Sequence, residues 1–155
     1  MDAVSPTPPD KAALRSGLRE LFGHADFRSG QAEIVEAVAA GEDALVVMPT
    51  GAGKSLCYQL PGVARGGTTL VISPLIALME DQVGKLRAQG FAAERIHSGR
   101  SRPELRETCR EYLRGNLDFL YVAPERLGVP GFPELLARRL PVLVAVDEAH
   151  CISHW

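Results

Sequence analysis

This sequence predicts an α/β fold, a parallel sheet with helices on both faces, and three observations predict it. Four short apolar runs, "ALVVM", "TTLVIS", "FLYVA" and "PVLVAVD", have strand length and no polar alternation, as strands buried on both faces do. Stretches of helical periodicity separate them, and that alternation implies right-handed crossovers between parallel neighbours. Every chemically suggestive motif falls at the carboxyl end of one of these runs, where ligands of such sheets bind.

The elements follow in order. Residues 1–9 are a Pro-rich tail, expected to be disordered or extended. Asp10 can cap a helix whose Leu14, Leu18, Leu21 and Phe22 recur at helical spacing and which stops near Gly23. A second helix is predicted from about Gly30 to Ala40, with Ile34, Val35 and Val38 on one face and Gly41 just past its end. The strand "ALVVM" comes next, and the other three apolar runs then alternate with helical candidates near 54–64, 75–89, 101–114 and 132–139. "FAAERIH" is a weaker candidate for a fifth strand.

At 155 residues the chain has the length of one domain, expected over residues 10–155 and burying roughly two-thirds of its unfolded surface. With 46% hydrophobic and 23% charged residues it is too apolar to be disordered. A net charge of -2 names no partner, so any nucleic-acid contact must come from local patches. Cys57, Cys109 and Cys151 are odd in number, widely spaced and free of any CxxC pair, which argues against a disulfide framework or a sulfur-rich zinc site. The N-terminus has no basic segment leading into an apolar one, and no run approaches the roughly 18 apolar residues of a membrane span. A soluble, cytoplasmic protein is expected, nucleoid-associated if bacterial. Arg outnumbers Lys 14 to 3 beside abundant Ala and Gly, the usage of GC-rich coding.

"VVMPTGAGKSLCYQLP" reads as strand, Gly-rich turn and helix, the context of a phosphate-binding loop spanning Thr50, Gly51, Ala52, Gly53, Lys54 and Ser55. The glycines let the backbone approach a polyphosphate, whose charge meets the N–H groups and positive dipole of the following helix. Lys54 would reach the β and γ phosphates and the Ser55 hydroxyl would ligate magnesium. The full GxxxxGK[ST] pattern has glycine where this chain has Met48. A dinucleotide fingerprint fails, because Leu56 stands where a third glycine is needed and Val71 where an acid is expected.

The last strand runs into "DEAHCISHW". Asp147 can hold magnesium and Glu148 can orient or deprotonate the water that attacks a γ phosphate. His150, Cys151 and His154 make a poor tetrahedral zinc site, being three ligands within five residues with no fourth in reach by sequence. A Cys151 nucleophile lacks an orienting third group.

Taken together, "FGHADFRSGQAEIV", "MPTGAGKSLCYQLP", "VISPLIALMEDQV", "LYVAPERL" and "AVDEAHCISHW" resemble, in order, the motifs of the RecQ family of superfamily-two DNA helicases, from about residue 14 to the end. The resemblance implies the first RecA-like P-loop NTPase lobe of an ATP-dependent 3'-to-5' DNA helicase acting in DNA repair and recombination, with ATP and magnesium as cofactors. It makes Gln31 the reader of the adenine edge, with Arg28 flanking the base. His24 stands where the family usually has a stacking Tyr, and His154 where it usually has Gln. Ser73, Pro74, Leu75 and Arg126 become contacts to the DNA backbone. His150 becomes a relay between nucleotide and DNA, and Trp155 the first aromatic of a loop that stacks on single-stranded DNA. Arg102, Arg106, Arg110 and Arg114 recur every fourth residue, interleaved with Glu104, Glu107 and Glu111, so a solvated, salt-bridged face is favoured there over a DNA track.

A helicase of this kind also needs a second RecA-like lobe bearing an arginine finger. That lobe and the family's zinc-binding and winged-helix parts are not among these 155 residues, so the sequence reads as an N-terminal portion that carries no zinc and turns ATP over very slowly by itself. Two other readings stand beside this one: a free-standing nucleotide-binding module that docks on a partner without unwinding, and a related RNA-directed motor.

Overall fold

The computed structural model describes residues 7–49 and 53–150. Residues 1–6 of the expected tail lie outside the described residues, as do Thr50, Gly51 and Ala52 of the expected phosphate loop and residues 151–155. The chain divides into two compact units between Arg65 and Gly66.

The first unit holds three helices, α1 (Lys11–Glu20), α2 (Gln31–Ala39) and α3 (Leu56–Arg65). The Asp10 carboxylate accepts the Ala13 N–H at 2.7 Å and so caps α1 as its position predicts. Leu14 and Leu18 then fall one turn apart on the buried face. Gly17 lies against α3, where a Cβ would stand 3.0 Å from Cδ1 of Leu60. Val35 and Val38 of α2 and Cys57 and Leu60 of α3 are among the other buried side chains of these helices. Past α2, Gly41 has φ 90° and the Glu42 N–H reaches back to the Ala37 carbonyl, the helix ending that a glycine beyond Ala40 predicts.

The strand expected over "ALVVM" is not formed. Residues 42–49 have no regular secondary structure, and Leu45 and Val47 are 87% and 89% exposed. An apolar run becomes a strand only where its N–H and C=O groups meet a ladder partner, and none pairs with it among the described residues. Val46 and Met48 are half-buried on the opposite side, and the Cys57 thiol lies 4.0 Å from the Met48 sulfur.

The second unit is a four-stranded, wholly parallel sheet in the order β2-β3-β1-β4, built from β1 (Thr69–Ile72), β2 (Ala93–Ile96), β3 (Phe119–Val122) and β4 (Leu143–Val146). Between the strands run α4 (Ile76–Ala88), α5 (Arg102–Arg114), a 3-10 turn at Pro124–Gly128 and α6 (Phe132–Ala137). "FAAERIH" therefore contains a strand, β2, and the alternation of strand and helix was legible from the periodicity.

Leu70, Ile72, Leu120, Val122 and Ile96 form one buried cluster with Tyr112 of α5 and with Phe132 and Leu136 of α6. The alternate residues Val71, Phe119 and Tyr121 project to the other face and are also buried, with Phe91 packed edge-on to Phe119 at 5.7 Å. Burial on both faces thus holds for β1 and β3. It fails for β4, where Val144 and Val146 are 54% and 42% exposed. β4 is an edge strand among the described residues, paired to β1 alone. No described helix is long and apolar enough to cross a membrane.

The register fixes what stands at the carboxyl edge. Ile96 pairs with Val122, Val122 with Ile72, and Ile72 with Val146. One residue further on, the Ala123 N–H bonds to the Ile96 carbonyl at 3.0 Å, Ser73 N–H to Val122 at 3.0 Å and Asp147 N–H to Ile72 at 2.9 Å. His97, Ala123, Ser73 and Asp147 therefore form one row, about 4.8 Å apart strand to strand.

Candidate nucleotide and nucleic-acid site

In the first unit the chemistry gathers around Gln31, which opens α2 and is 2% exposed. Its Oε1 accepts the Arg28 N–H at 2.7 Å, and its Nε2 donates to the Gly53 carbonyl at 3.1 Å. Gly53 has φ +78°, and a Cβ there would lie 2.5 Å from Nε2 of Gln31, so only glycine fits this close approach. Lys54 follows with an exposed side chain, then half-buried Ser55. Their carbonyls accept the first N–H groups of α3: Lys54 from Cys57 at 3.0 Å, and Ser55 from Gln59 at 2.9 Å. A positive-φ glycine, an exposed ammonium and a ten-residue helix beginning just beyond them suit a phosphate group.

The loop leading into α2 carries His24 and Arg28, both exposed. It is held by Asp26, which accepts Arg15 Nη1 at 2.9 Å and the Phe27 N–H at 2.8 Å. The Phe27 N–H bond first, and the Arg15 guanidinium second, hold the Asp26 carboxyl below its usual range. Burial pushes the Cys57 thiol upward, leaving it an inert core group.

In the second unit Asp147 extends the β4 ladder by one bond, and the chain then turns sharply. Glu148 has φ 54°, the positive φ of a non-glycine residue among the described residues. Such backbone strain persists where the surroundings impose it, and it re-aims the side chain after a strand end. The Glu148 N–H donates to Oδ1 of Asp147 at 3.0 Å, and Nε2 of His150 lies 3.3 Å from Oε2 of Glu148. Asp147, Glu148 and His150 are linked to one another by these two contacts.

The residues expected at DNA stand on the same edge. Ser73 is buried with its N–H in the ladder, Pro74 is half-buried, and Leu75, the residue before α4, is 50% exposed. Arg126 stands in the 3-10 turn after β3, its guanidinium 5.6 Å over the Phe132 ring. Lys54 and Ser55 belong to the first unit, whereas Asp147, Glu148 and the DNA candidates belong to the second. Thr50, Gly51, Ala52, Cys151, His154 and Trp155 lie outside the described residues.

On α5, Arg110 pairs with Glu107 at 3.3 Å and Arg114 with Glu111 at 3.0 Å, all on an exposed face, in keeping with the salt-bridged reading. Sequence reasoning missed a polar cluster at the end of β2. Oε1 of Glu80 accepts Nε of Arg95 and meets Nε2 of His97, each at 2.7 Å, while Nδ1 of His97 accepts the Gly99 N–H at 3.0 Å. Because Nδ1 is an acceptor there, Nε2 carries the proton toward Glu80. Arg95, then His97, hold the Glu80 carboxyl below the usual carboxylate range. The signal was available: a strand candidate with Glu94, Arg95 and His97 inside it needs polar partners.

Among known proteins, the model of the DEAD/DEAH box helicases matches residues 28–155, and this chain belongs to that family. The particular relatives are RecQ helicases. The chain is 44% identical over 146 residues to the ATP-dependent DNA helicase RecQ of Haemophilus influenzae, covering 94% of this chain and 24% of that protein. To RecQ of Bacillus subtilis it is 45% identical over 142 residues, 91% of this chain and 24% of the relative. The chain spans about a quarter of these relatives. Among solved structures, a hypothetical ATP-dependent RNA helicase from Sulfolobus tokodaii superposes with a TM-score of 0.69 over 91% of this chain and 42% of that one, at 21% identity. At that identity it speaks for the helicase α/β fold alone.

Proposed function

We propose that this chain is the ATP-binding first RecA-like lobe of a RecQ-type DNA helicase, a 3'-to-5' motor of DNA repair and recombination. The observation that carries the reading is the register of the parallel sheet. It sets Asp147 and Glu148, just past β4, beside the Ser73–Leu75 turn that follows β1, with Arg126 beyond the next strand. A side chain that responds to nucleotide and a backbone that touches DNA then share one edge.

Each residue has a share of the work. His24 stacks on the adenine ring while Gln31 and Arg28 hold its edge. The turn of Thr50, Gly51, Ala52 and Gly53 wraps the phosphates, and Lys54 neutralises the β and γ groups. Ser55 would offer its hydroxyl to magnesium, which when bound screens the phosphate charge, and Asp147 is a carboxylate of the type that holds such an ion. Glu148 orients the attacking water and takes its proton, with His150 bonded to the same carboxylate and passing its state toward the DNA side. Ser73, Pro74, Leu75 and Arg126 lie along the strand of single-stranded or junction DNA, and Trp155 stacks on a base.

The second lobe supplies an arginine finger, worth about 10^3 to 10^5 in rate, or about 4 to 7 kcal/mol. The 155-residue chain alone therefore hydrolyses ATP very slowly. Steady-state phosphate release tests this: slow turnover that drops to background in Glu148→Gln supports the reading, whereas vigorous DNA-stimulated turnover by the same chain contradicts it. In a longer protein that includes the second lobe, stimulation by single-stranded DNA over RNA separates the DNA motor from an RNA-directed one.

A further inference from the structure

We infer that Phe132 is a positioning residue for nucleic-acid binding, holding Arg126 as a pre-aimed cation for a backbone phosphate; this rests on the reading of Arg126 as a DNA contact.

The chain between the two residues is pinned at three points. The Arg126 N–H donates to Ala123, the Val129 N–H to the Arg126 carbonyl, and the Phe132 N–H to the Val129 carbonyl, at 3.0, 3.1 and 3.1 Å. Gly131, with φ 87°, then starts α6 so that Phe132 faces back toward Arg126. The ring cannot drift, because Phe132 is 5% exposed and packed with Leu120, Val122 and Tyr112 in the sheet core. The guanidinium lies over it, in the geometry of a cation on an aromatic face.

Arg126 differs from the arginines at the neighbouring strand end in lacking an anion. Arg95 and Arg100, at the neighbouring strand end, are paired with Glu80 and Glu94. Among the described residues no carboxylate pairs with Arg126, and its Nε is buried without a partner, as are those of Arg100 and Arg139. A half-buried guanidinium with unmet donors is costly to leave so, and its planar fork matches phosphate oxygens. Its backbone stands three residues past Ala123, in the row between His97 and Ser73, which is the edge a DNA strand would follow.

The test is a double-mutant cycle read by fluorescence anisotropy of labelled oligo-dT with the 155-residue chain at low salt. Arg126→Gln is expected to weaken binding about tenfold and to lower the salt slope by about 0.7. Phe132→Leu is expected to weaken binding about threefold, and Phe132→Tyr, which keeps the ring, to restore it. In the Arg126→Gln background Phe132→Leu should have no further effect; circular dichroism at the assay temperature confirms that each variant is folded. If Arg126→Gln binds as tightly as the parent, or the parent does not bind, the DNA-contact reading falls and the inference with it. If Arg126→Gln weakens binding but Phe132→Leu acts equally in both backgrounds, or not at all, the contact stands and the positioning role is overturned.

Discussion

Replacing Gly53 by alanine should weaken binding at the proposed nucleotide site by about two orders of magnitude, and the structure says why. At φ +78° an L-residue costs roughly 1 to 2 kcal/mol. The new Cβ would stand 2.5 Å from Nε2 of Gln31, so the amide must swing away. That breaks the bond to the Gly53 carbonyl and the bond from the Arg28 N–H, each worth about 1 kcal/mol, and Gln31 is too buried for water to replace them. The sum is about 3 kcal/mol, or about a hundredfold in the dissociation constant of a fluorescent ATP analogue with magnesium. In a Gln31→Ala background the clash is gone, so the same substitution should lose only the backbone share, about tenfold. Unchanged affinity in Gly53→Ala, or an equal penalty in both backgrounds, would refute the contact argued between Gln31 and the loop.

Other substitutions probe the second unit. Tyr112→Phe removes the hydroxyl that donates to the Leu136 carbonyl at 2.9 Å and also meets that of Arg139; thermal melting should show a loss of about 1 to 2 kcal/mol, a few degrees. Glu148→Gly relieves the positive φ of 54° and should stabilise the fold by about 1 kcal/mol, raising the melting temperature slightly, while removing the carboxylate proposed to act on water; a lower melting temperature would argue against strain there. Glu80 is an acid with a lowered folded-state pKa, so its contribution is full above the unfolded value near about 4.3 and is lost as pH falls through the lower folded value. Glu80→Gln should therefore flatten the acid limb of a denaturation-midpoint profile below about pH 4, by less than about 1 kcal/mol because the group is well exposed. An unchanged acid limb would contradict the role of Arg95 and His97 at that carboxylate.

Much of this architecture was legible because local signals agreed with the global fold. Asp10 before Leu14 and Leu18 marks a helix start that the structure caps by a side-chain bond. The runs that became β1 and β3 are apolar on both faces and are buried on both. The run at 44–48 looked the same, yet strand formation depends on a neighbour that periodicity does not encode. For the candidate site, the phosphate-loop pattern singles out Gly53, the strand-end carboxylates are Asp147 and Glu148, and the family resemblance singles out Gln31. These signals could not reveal that Gln31 braces the Gly53 carbonyl, that Glu148 sits in the left-handed region, or that Arg126 lies on Phe132, since each depends on how a turn brings a side chain back onto its neighbour. The Glu80, Arg95 and His97 cluster joins residues up to seventeen positions apart across α4 and β2, and no short motif spans them.

The central claim, that the turn before α3 holds the phosphates of a nucleotide, is tested most directly by equilibrium binding of ATP to the 155-residue chain with and without magnesium. Saturable binding is expected, weakened when magnesium is chelated or Asp147 is changed to Asn, and lost in Lys54→Ala. Binding that is equal in Lys54→Ala and parent, or absent from the folded parent, would contradict the account.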